Sequence, residues 1–354
     1  MAVNDGEYMR RALSLARRGL GRTSPNPPVG AVLVKDGAEV GRGWHKGSGQ
    51  PHAEVEAIRD GVRRHGEEVT QGATIYVTLE PCSTHGRTGS CTAALIRAGV
   101  SRVVVGAGDP NPSHEGRAGP LLLEAGIDYT EGIEEPGCEA IIRAFTKVQR
   151  SGLPWVIIKS AFGLDGKVTR PQSEGQWLSG EGSRAEVHGL RGEVDAILTT
   201  GKTVRCDNPR LTIRGAAQGA EKRQPLRVVL TSRDLGVPKG SQILTDDVRD
   251  KTLIYKSKRI ESVLRDLVSD HGVLSIMVEA GGTMVGQLLD EGWADEVVFY
   301  LAPLITGGGV PAVGGEGAVD LRGRIKMESS SFRRIGDDVR VRAMIDRGEG
   351  PAGS

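Results

Sequence analysis

One histidine, one glutamate and two cysteines in the first third of the chain have side chains that suit metal chemistry. His52 and Glu54 lie two residues apart, Cys82 follows Pro81, and eight residues separate Cys82 from Cys91. An imidazole and two thiolates are three ligands that zinc accepts, and a catalytic zinc site leaves its fourth position open for water. Zinc lowers the pKa of that water toward neutrality. Glu54 can face the same cavity and move protons, so the spacing predicts a hydrolytic zinc site.

The order of these residues is typical of the zinc deaminases of nucleobases. Their signature is H-x-E followed by P-C-x-x-C, whereas Cys82 and Cys91 are further apart here. The alternative is an ordinary histidine at a helix start and two buried thiols, but a strand before Cys82 and a helix opening at Cys91 favour the metal site. The loop 83–90 is polar and basic and suits a phosphate or ribose, although a solvated loop has the same composition. Cys138 has no such partner and is expected to be a packed thiol.

Two turns in the second half of the chain have the composition of phosphate-binding turns. The strand LSIMVEA runs into the residues 281–284, Gly-Gly-Thr-Met, and a helix, whose first N–H groups can bind phosphate. Ser232 and Arg233 follow the strand LRVVL, where an arginine favours NADP over NAD. No G-x-G-x-x-G follows a strand, which argues against an ordinary dinucleotide-binding fold. A Gly-Gly turn by itself is more often a simple connection.

Alternating strands and helices must position the first group of residues. Asn4 and Glu7 predict the start of a helix that ends near Gly19, and VGAVLVKDGAEVGRGWH is typical of a hairpin. A helix over about 52–65 and then the segments ATIYVTL, CTAALIRAG and RVVVGAG follow as strand, helix and strand. We expect one α/β layered domain over 1–147 and a linker over 148–153.

A second series of strands and helices follows that linker. Its predicted helices are 181–191, 258–270 and 283–291, and its predicted strands are WVIIKSAF, DAILTT, LRVVLTS, TLIYK, LSIMVEA and EVVFYLAP. MESSSFRRIG and DDVRVRAMI indicate a final hairpin. The pattern predicts a second α/β domain over 154–346 and a disordered tail over 347–354.

The composition is that of a globular protein without a dominant electrostatic field. Of the 354 residues, 38% are hydrophobic and 26% charged, and the net charge of +1 argues against a general attraction to nucleic acid or membrane. No apolar run approaches the roughly 20 residues needed to cross a bilayer, and the charged first segment is not a signal peptide. Four cysteines are too few for a disulfide scaffold. We expect a cytoplasmic enzyme with reduced thiols.

Longer runs resemble the bifunctional riboflavin-biosynthesis deaminase/reductase family over nearly the whole chain. Two unrelated sets of motifs occur in the order of that family, and the long loop between the cysteines is its own variant of the deaminase signature. The deaminase runs are PNPPVGAVLVKDG, GWHKGSGQPHAEVEAI, VTLEPCSTHGRTGSCTAALIRAGV and GAGDPNP. The reductase runs are KSAFGLDGKV, EGQWLSG, HGLRGEVDAILTTGKTV, DNPRLTIR, PLRVVL and VEAGGTMVGQLLDEGWADEVVFYLAP.

The resemblance implies an N-terminal cytidine-deaminase-like three-layer domain and a C-terminal dihydrofolate-reductase-like domain. The first, with one zinc ion, would hydrolyse the 2-amino group of 2,5-diamino-6-(5-phosphoribosylamino)pyrimidin-4-one. The second would use NADPH to reduce the ribosyl group and give 5-amino-6-(5-phosphoribitylamino)uracil. The family commonly assembles through the reductase domain, so a homo-oligomer is expected.

The motifs also imply residue roles. In the deaminase, the resemblance assigns zinc to His52, Cys82 and Cys91, proton transfer to Glu54, and substrate binding to Asn26, His45 and Arg87, with Arg87 at the phosphate. At the reductase cofactor it implies Ala161, Trp177, Thr203, Asp207, Ser232, Gly281, Gly282, Thr283, Met284, Val285, Gly286 and Gln287. At the reductase substrate it implies Lys159, Asp165, Gly175, Arg191, Leu211, Arg214 and Glu279. The histidines without ligand spacing are interpreted as surface or core residues: His65, His114, His188 and His271.

Several positions depart from the pattern of the family. Glu56 and Thr84 stand where histidines are common, and residues 89–90 are Gly-Ser instead of Pro-Pro, but every zinc ligand is kept. In the reductase, the segment 202–208, interpreted as a loop, keeps Thr203 and Asp207 and differs from the family at Arg205, Cys206 and Asn208.

Three other functions stay open on the sequence. A tRNA or nucleoside deaminase with an accessory domain would need a basic face, which the near-zero net charge disfavours. A paralogue could deaminate a related pyrimidine or pterin metabolite while a degenerate reductase domain acts as a scaffold. A chain without activity could serve as a binding protein, and NADPH binding would distinguish it from an active reductase.

Overall fold

The computed structural model describes residues 4–83, 89–169, 177–215, 223–318 and 323–346. The chain divides into two compact units, Met1–Leu153 and Pro154–Ser354. Among the described residues, no helix combines the length and the apolar character that crossing a membrane requires. The predicted tail 347–354 lies outside these ranges.

A five-stranded sheet forms the centre of the first unit. Its elements are α1 (Asp5–Ala16), β1 (Gly30–Lys35), β2 (Ala38–Trp44), α2 (Ala53–His65), β3 (Thr74–Leu79), α3 (Cys91–Arg97), β4 (Arg102–Ala107), α4 (Ala118–Glu124), β5 (Asp128–Thr130) and α5 (Glu135–Ser151). The strand order is β2-β1-β3-β4-β5. β1 is antiparallel to β2 and β3, whereas β3, β4 and β5 are parallel.

Helices cover both faces of this sheet. One apolar cluster joins the sheet to α2, α3 and α4 through Ala57, Leu95 and Leu122. A second cluster joins the opposite face to α1 and α5 through Met9 and Ile142. The helix–sheet–helix arrangement confirms the predicted three-layer fold.

Local sequence explains how β2 and α2 come close together. Asp36 and Gly37 both have positive φ, 50° and 76°, as the tight turn of a two-residue hairpin requires. In β2, a Cβ on Gly43 would collide with the backbone of Ala53 and Ala57 in α2. Glycine at this position therefore lets the start of α2 pack directly on the sheet.

The second unit is built around an eight-stranded sheet. Its elements are β6 (Trp155–Gly163), α6 (Glu181–Arg191), β7 (Ala196–Thr200), α7 (Gly201–Asp207), β8 (Leu226–Thr231), α8 (Gln242–Thr245), β9 (Thr252–Lys256), α9 (Ile260–His271), β10 (Ser275–Val278), α10 (Gly282–Asp290), β11 (Glu296–Ala302), β12 (Lys326–Ile335) and β13 (Asp338–Asp346). The strand order is β12-β13-β11-β6-β10-β7-β8-β9. The strands β6 to β11 pair in parallel, and β12 and β13 form the antiparallel hairpin at one edge.

Two segments differ from the sequence interpretation. The helix α5 continues to Ser151, so the range 148–153 begins inside a helix. The segment 202–208 is mostly the helix α7 and not a loop. Thr200 caps this helix by accepting a hydrogen bond from the N–H of Thr203, and Asn208 ends it in the left-handed conformation.

Candidate metal centre and reductase site

Three side chains of the first unit converge as the ligand set of a metal ion. Nδ1 of His52 lies 3.2 Å from Sγ of Cys91 and 3.6 Å from Sγ of Cys82, and the three ligand atoms lie within 4.8 Å of one another. A tetrahedral zinc with Zn–S of about 2.3 Å and Zn–N of about 2.0–2.1 Å places its ligand atoms about 3.5–3.8 Å apart. The donor set and its spacing therefore fit zinc.

The ends of three elements place these ligands. His52 is the N-terminal residue that precedes α2, Cys82 follows β3, and Cys91 is the first residue of α3. The side chain of Ser90 caps α3 by accepting from the N–H of Ala93. The N–H of Cys91 donates to Sγ of Cys82 at 3.3 Å, so the backbone itself orients the second sulfur.

The pKa values of the two thiols shift in opposite directions. The Cys91 thiol donates to the Cys82 sulfur and His52 adds its attraction, which together lower the pKa of Cys82 to about 4 against the effect of burial. The same hydrogen bond and burial raise the pKa of Cys91. A bound cation would displace the remaining proton, because the thiolate is the form that binds metal.

Glu54 lies beside this ligand set without belonging to it. Its side chain is buried, and burial raises the pKa of its carboxyl. Among the described residues, its Oε2 atom is buried without a hydrogen-bond partner. A buried polar atom of this kind is costly unless a ligand or water satisfies it, so Glu54 is poised for a group that enters the cavity.

Asn26 and His45 form a second polar pair in the cavity. Nδ1 of His45 lies 3.1 Å from the carbonyl oxygen of Pro51, which can only accept, so Nδ1 carries the proton. Burial lowers the pKa of His45, which favours this neutral ring. Nε2 of His45 then accepts from the amide nitrogen of Asn26 at 3.0 Å. This bond fixes the amide and leaves Oδ1 of Asn26 as an acceptor for substrate.

A cavity of about 260 Å³ brings these residues together with several that sequence reasoning missed. Glu80 accepts from the N–H groups of Asp109, Gly116 and Ala118 and so holds the loop after β4 against the site. Asp109 in turn accepts from the N–H of Asn111 at 2.9 Å. The sequence motif GAGDPNP contains Asp109 and Asn111, and it is the pattern from which this part of the cavity lining could have been predicted. The complete lining is Pro25, Asn26, Pro27, Val29, His45, His52, Glu54, Leu79, Glu80, Cys82, Asp109, Asn111, His114, Phe145 and Gln149.

The cavity also corrects one interpretation. The sequence pattern predicts a surface or core position for His114, whereas the structure places it in the wall of the cavity with Asn111. Its spacing from His52 carries no ligand pattern, so only the fold of the loop reveals its place. Arg87, the expected contact to the substrate phosphate, lies outside the described residues.

The second unit contains a cluster of charged residues around Glu279. Arg191 binds this carboxylate through two hydrogen bonds of 2.7 and 3.0 Å, and Nζ of Lys159 lies 3.6 Å from Oε2. Burial opposes ionisation of Glu279, but Arg191 and Lys159 lower its pKa to about 2. Burial lowers the pKa of Lys159. Arg214 adds a further positive charge to the cluster, so the site has more cations than anions.

The segment that follows α7 contacts this cluster through the carbonyl of Thr212 and has a strained backbone. Asn208 and Leu211 both have positive φ, 42° and 52°, and a branched residue rarely adopts this conformation. The side chain of Leu211 packs in the core with Ile197 and Met277, so any contact of Leu211 to substrate would come from its backbone. The carbonyl of Thr212 accepts from Nη1 of Arg191 at 3.0 Å.

The helix α10 presents its predicted cofactor residues in different ways. Gly281 precedes the helix, and a Cβ there would meet open space, which leaves room for a phosphate at the helix start. A Cβ on Gly282 or Gly286 would instead collide with the backbone of 311–315. Val285 is buried in the core, and Gln287 donates to Glu291. Thr283 is exposed and Met284 half-buried.

The remaining predicted reductase residues occupy varied positions. Ala161 is half-buried in β6 and Ser232 is exposed after β8. Oδ2 of Asp165 accepts from the N–H of Gly307 at 2.6 Å, which makes it a turn residue in addition to any role with substrate. Trp177 is 59% exposed and stacks against Arg184. The hydroxyl of Thr203 bonds that of Thr200, Asp207 ends α7, and Gly175 lies outside the described residues.

The positions that depart from the family pattern in α7 have structural contacts. Arg205 donates to the carbonyl of Gly236 at 2.8 Å. Asn208 accepts from the N–H of Gln242 and its carbonyl accepts from the Gln242 side chain. Cys206 is exposed. The altered segment is therefore an ordered helix that is tied to α8.

Two family models match the chain. The cytidine and deoxycytidylate deaminase zinc-binding region matches residues 2–107, and the RibD C-terminal domain matches residues 154–341. The second match alone spans just over half of the 354 residues. The chain belongs to the RibD family. Its second unit accordingly has the dihydrofolate-reductase-like fold of RibD.

RibD proteins align with the chain over most of their length. The riboflavin biosynthesis protein RibD of Escherichia coli (strain K12) is 39% identical over 332 residues, 86% of this chain and 89% of that protein. The Aquifex aeolicus (strain VF5) protein is 35% identical over 95% of this chain and 97% of its own. The structure of Acinetobacter baumannii RibD matches with a TM-score of 0.86 at 33% identity, covering 96% of this chain and 98% of that one.

A second solved structure is described by its reactions. It is a diaminohydroxyphosphoribosylaminopyrimidine deaminase/5-amino-6-(5-phosphoribosylamino)uracil reductase from Thermotoga maritima. It matches with a TM-score of 0.86 at 32% identity, over 96% of this chain and 98% of that one. The present RibD-family chain is a bifunctional enzyme of riboflavin biosynthesis, with a zinc-binding deaminase unit and an NADPH-dependent reductase unit that acts on a small molecule.

Proposed function

We propose that this RibD-family chain first hydrolyses the 2-amino group of 2,5-diamino-6-(5-phosphoribosylamino)pyrimidin-4-one. Its second unit then reduces the ribosyl group to give 5-amino-6-(5-phosphoribitylamino)uracil. The observation that supports the first step is the buried Oε2 atom of Glu54, which has no hydrogen-bond partner among the described residues, beside the ligand set of His52, Cys82 and Cys91. The cationic cluster around Glu279 carries the second.

The residues of the first cavity divide the work of deamination. His52, Cys82 and Cys91 would hold the zinc ion, which supplies a water molecule of lowered pKa. Glu54 would act as the proton carrier: it would take the two protons of the water in turn and give one to the ring nitrogen and one to the departing amino group. The oxygen of the water would remain on the ring carbon as a carbonyl, and the amino group would leave as ammonia. Asn26, fixed by His45, accepts from a ring N–H and holds the pyrimidine in place.

Reduction of the ribosyl ring adds a hydride and a proton and opens the ring. NADPH would supply the hydride, and the open start of α10 at Gly281 suits one of its phosphates. Lys159 is the proton donor in this proposal, because burial lowers the pKa of its ammonium group and so favours release of the proton. Arg191 and Arg214 suit the phosphate of the substrate, since a guanidinium bonds two oxygens at once.

We place the domain boundary at 153/154, where the match to the RibD C-terminal domain begins. We propose a cytoplasmic homo-oligomer that joins through the reductase units and binds no nucleic acid. Nine of the ten residues of the edge strand β12 are exposed, including Phe332 at 72%, and such an edge is suited to cover by a second copy.

The test is a dual assay on the purified full chain loaded with zinc. The diaminopyrimidinone substrate and NADPH are supplied together, and ammonia release and loss of reduced-nicotinamide absorbance are followed in parallel. We expect both signals. Ammonia without NADPH loss would contradict the reductase assignment and favour a paralogue with a degenerate second unit. Absence of both would contradict the substrate assignment.

A further inference from the structure

Two side chains of the helix α6 form hydrogen bonds to the same backbone carbonyl group. Nδ1 of His188 lies 3.0 Å from the carbonyl oxygen of Thr212, and Nη1 of Arg191 donates to that oxygen at 3.0 Å. The two residues are three positions apart, so their side chains lie on one face of the helix. His188 is therefore part of the cluster that Arg191 forms with Glu279.

This contact determines which nitrogen of His188 is protonated. A carbonyl oxygen can only accept, so Nδ1 carries the hydrogen. In the neutral ring Nε2 is then a bare acceptor. Burial lowers the pKa of His188, and the charges of Arg191 and Arg214 lower it further, whereas Glu279 raises it. In the free protein the neutral ring is favoured.

The charge around the ring is unbalanced. Glu279 is engaged by Arg191 and Lys159. For Arg214, the described part of the chain provides no hydrogen-bond or ion-pair partner. Burial together with Arg191 and Arg210 lowers its pKa, and the charge of Glu279 opposes this only in part. An arginine without a paired carboxylate among other cations is a site for an anion. The substrate proposed for this unit carries a phosphate.

A phosphate dianion and a bare Nε2 repel each other, because both offer only lone pairs. A proton on Nε2 would convert this repulsion into a charge-assisted hydrogen bond. We propose that His188 is a further ligand of the substrate phosphate, beside Arg191 and Arg214, and that it takes up a proton from solvent when the phosphate binds. The inference rests on the proposed reductase function and adds a residue that governs its pH dependence.

The test is titration calorimetry of the full chain, with NADPH bound, using ribose 5-phosphate as the probe and ribose as the control. Measurement in buffers of different ionisation enthalpy gives the number of protons taken up. The variants are His188→Gln, whose amide keeps a donor for Thr212 but does not titrate, and His188→Asn as a second form. His271→Gln, at the exposed end of α9, is the matched control.

We expect the wild type and His271→Gln to take up a proton when they bind ribose 5-phosphate. In His188→Gln the number of protons taken up should be lower by at least about half a proton, because one titrating group has been removed. His188→Gln should weaken binding about tenfold near pH 6, where protonating the ring costs less free energy, and less than about twofold near pH 8.5, where it costs more. Comparison at equal pH cancels the ionisation of the phosphate itself, whose second pKa is about 6. A merely structural role would weaken binding equally at both pH values.

Two results would overturn the proposal: equal proton uptake in the wild type and both His188 variants, or a loss of affinity that does not change with pH. In the same preparation, oxidation of NADPH by the wild type is recorded with the proposed reductase substrate, the deaminated product of the first step. Proton-linked binding without NADPH oxidation would refute the reductase assignment but support His188 as a sugar-phosphate ligand. Ammonia release should be unchanged in His188→Gln, since this residue belongs to the other unit.

Discussion

At the scale of single residues, the chemistry of the first unit depends on one oxygen of a buried carboxyl. Among the described residues, the Oε2 atom of Glu54 has no hydrogen-bond partner, while Cys82 and Cys91 are held by hydrogen bonds to each other and to His52. The ligands are thus fixed by the fold, and Glu54 is left for the reacting groups. Removal of its charge should therefore affect catalysis and leave metal binding intact.

Glu54→Gln tests this division directly. We expect ammonia release to fall by about 10²–10⁴-fold, the usual contribution of a general acid–base group, while the zinc content stays that of the wild type. Glu56→Gln is the matched control, because Glu56 lies on the same helix and pairs with Lys46. A Glu54→Gln protein that loses its zinc, or one that keeps its ammonia release, would contradict the role.

A second residue-scale prediction concerns the buried pair of Arg227 and Asp246. The guanidinium is fully buried and bonds the carboxylate at 2.7 and 2.9 Å. Burial opposes ionisation of Asp246, but Arg227 keeps its pKa below the ordinary value. The pair therefore contributes stability that is fully present above the unfolded pKa of about 3.9 and is lost as pH falls through the lower folded value.

Asp246→Asn should lower the free energy of unfolding by about 3–5 kcal/mol at neutral pH, because it leaves a buried charge unpaired. The difference from wild type should be constant between about pH 7 and pH 5 and shrink below about pH 4. Urea unfolding at several pH values measures it. Asp250→Asn, at a side chain that is 93% exposed, should change stability little. If the difference in the free energy of unfolding between wild type and Asp246→Asn grew as the pH fell, the direction assigned to the pKa shift of Asp246 would be wrong.

The sequence predicted these residue-scale features unequally. The zinc ligands were predictable because metal chemistry restricts residue type and order, so a short pattern was informative. His114 and His188 carry no pattern, since the loop before α4 and the Thr212 carbonyl bring them to their sites only in the folded chain. Leu211 was matched from a motif, but its side chain packs in the core.

At the scale of elements, close backbone approach determines the position of α10. Gly282 and Gly286 are one helical turn apart and both pack against the backbone of 311–315. Gly281, one residue earlier, has open space where a side chain would be. These adjacent glycines therefore differ in role: Gly282 permits close packing against 311–315, whereas Gly281 leaves room for a ligand.

Gly282→Ala and Gly281→Ala form a matched pair. We expect Gly282→Ala to lower the free energy of unfolding by about 1–3 kcal/mol, the usual cost of overpacking, because the new Cβ collides with the carbonyl of Pro311. Gly281→Ala should cost less than about 1 kcal/mol as a change at a helix cap. Urea unfolding compares the two, and equal losses would contradict the assigned packing.

Periodicity predicted most elements but missed α7. The hairpin at Asp36 and Gly37 was predictable from its turn residues, and the helices α2 and α9 were predictable from their helical periodicity. The segment 202–208, interpreted as a loop, is mostly the helix α7. Thr200 and Asn208 cap its two ends, and a helix of seven residues is too short to show periodicity.

At the scale of the whole molecule, two chemically different units lie on one chain. The division at 153/154 and the match to the RibD C-terminal domain from residue 154 concern the same point in the sequence. Motif sets in a fixed order predicted the family, because two unrelated sets seldom occur together by chance. Oligomeric state could not be read in this way, since an exposed strand does not identify what covers it.

Phe332→Asp tests the proposed assembly. Phe332 is 72% exposed on the edge strand β12, and a charge there should disrupt an interface between reductase units. We expect sedimentation to show a lower mass than for wild type. Leu235→Asp, at a residue that is 65% exposed elsewhere in the same unit, should leave the mass unchanged. A wild-type chain that sediments as a monomer would contradict the proposal.

The central claim is that one chain holds a zinc-dependent deaminase and a reductase that does not need the metal. The most direct measurement removes the metal with a chelator and follows ammonia release and NADPH oxidation, starting from either the diaminopyrimidinone or its deaminated product. The account predicts that metal removal abolishes ammonia release, that about one zinc per chain restores it, and that the deaminated product is reduced throughout. Ammonia release that survives complete metal removal, or reduction that is lost with the metal, would contradict it.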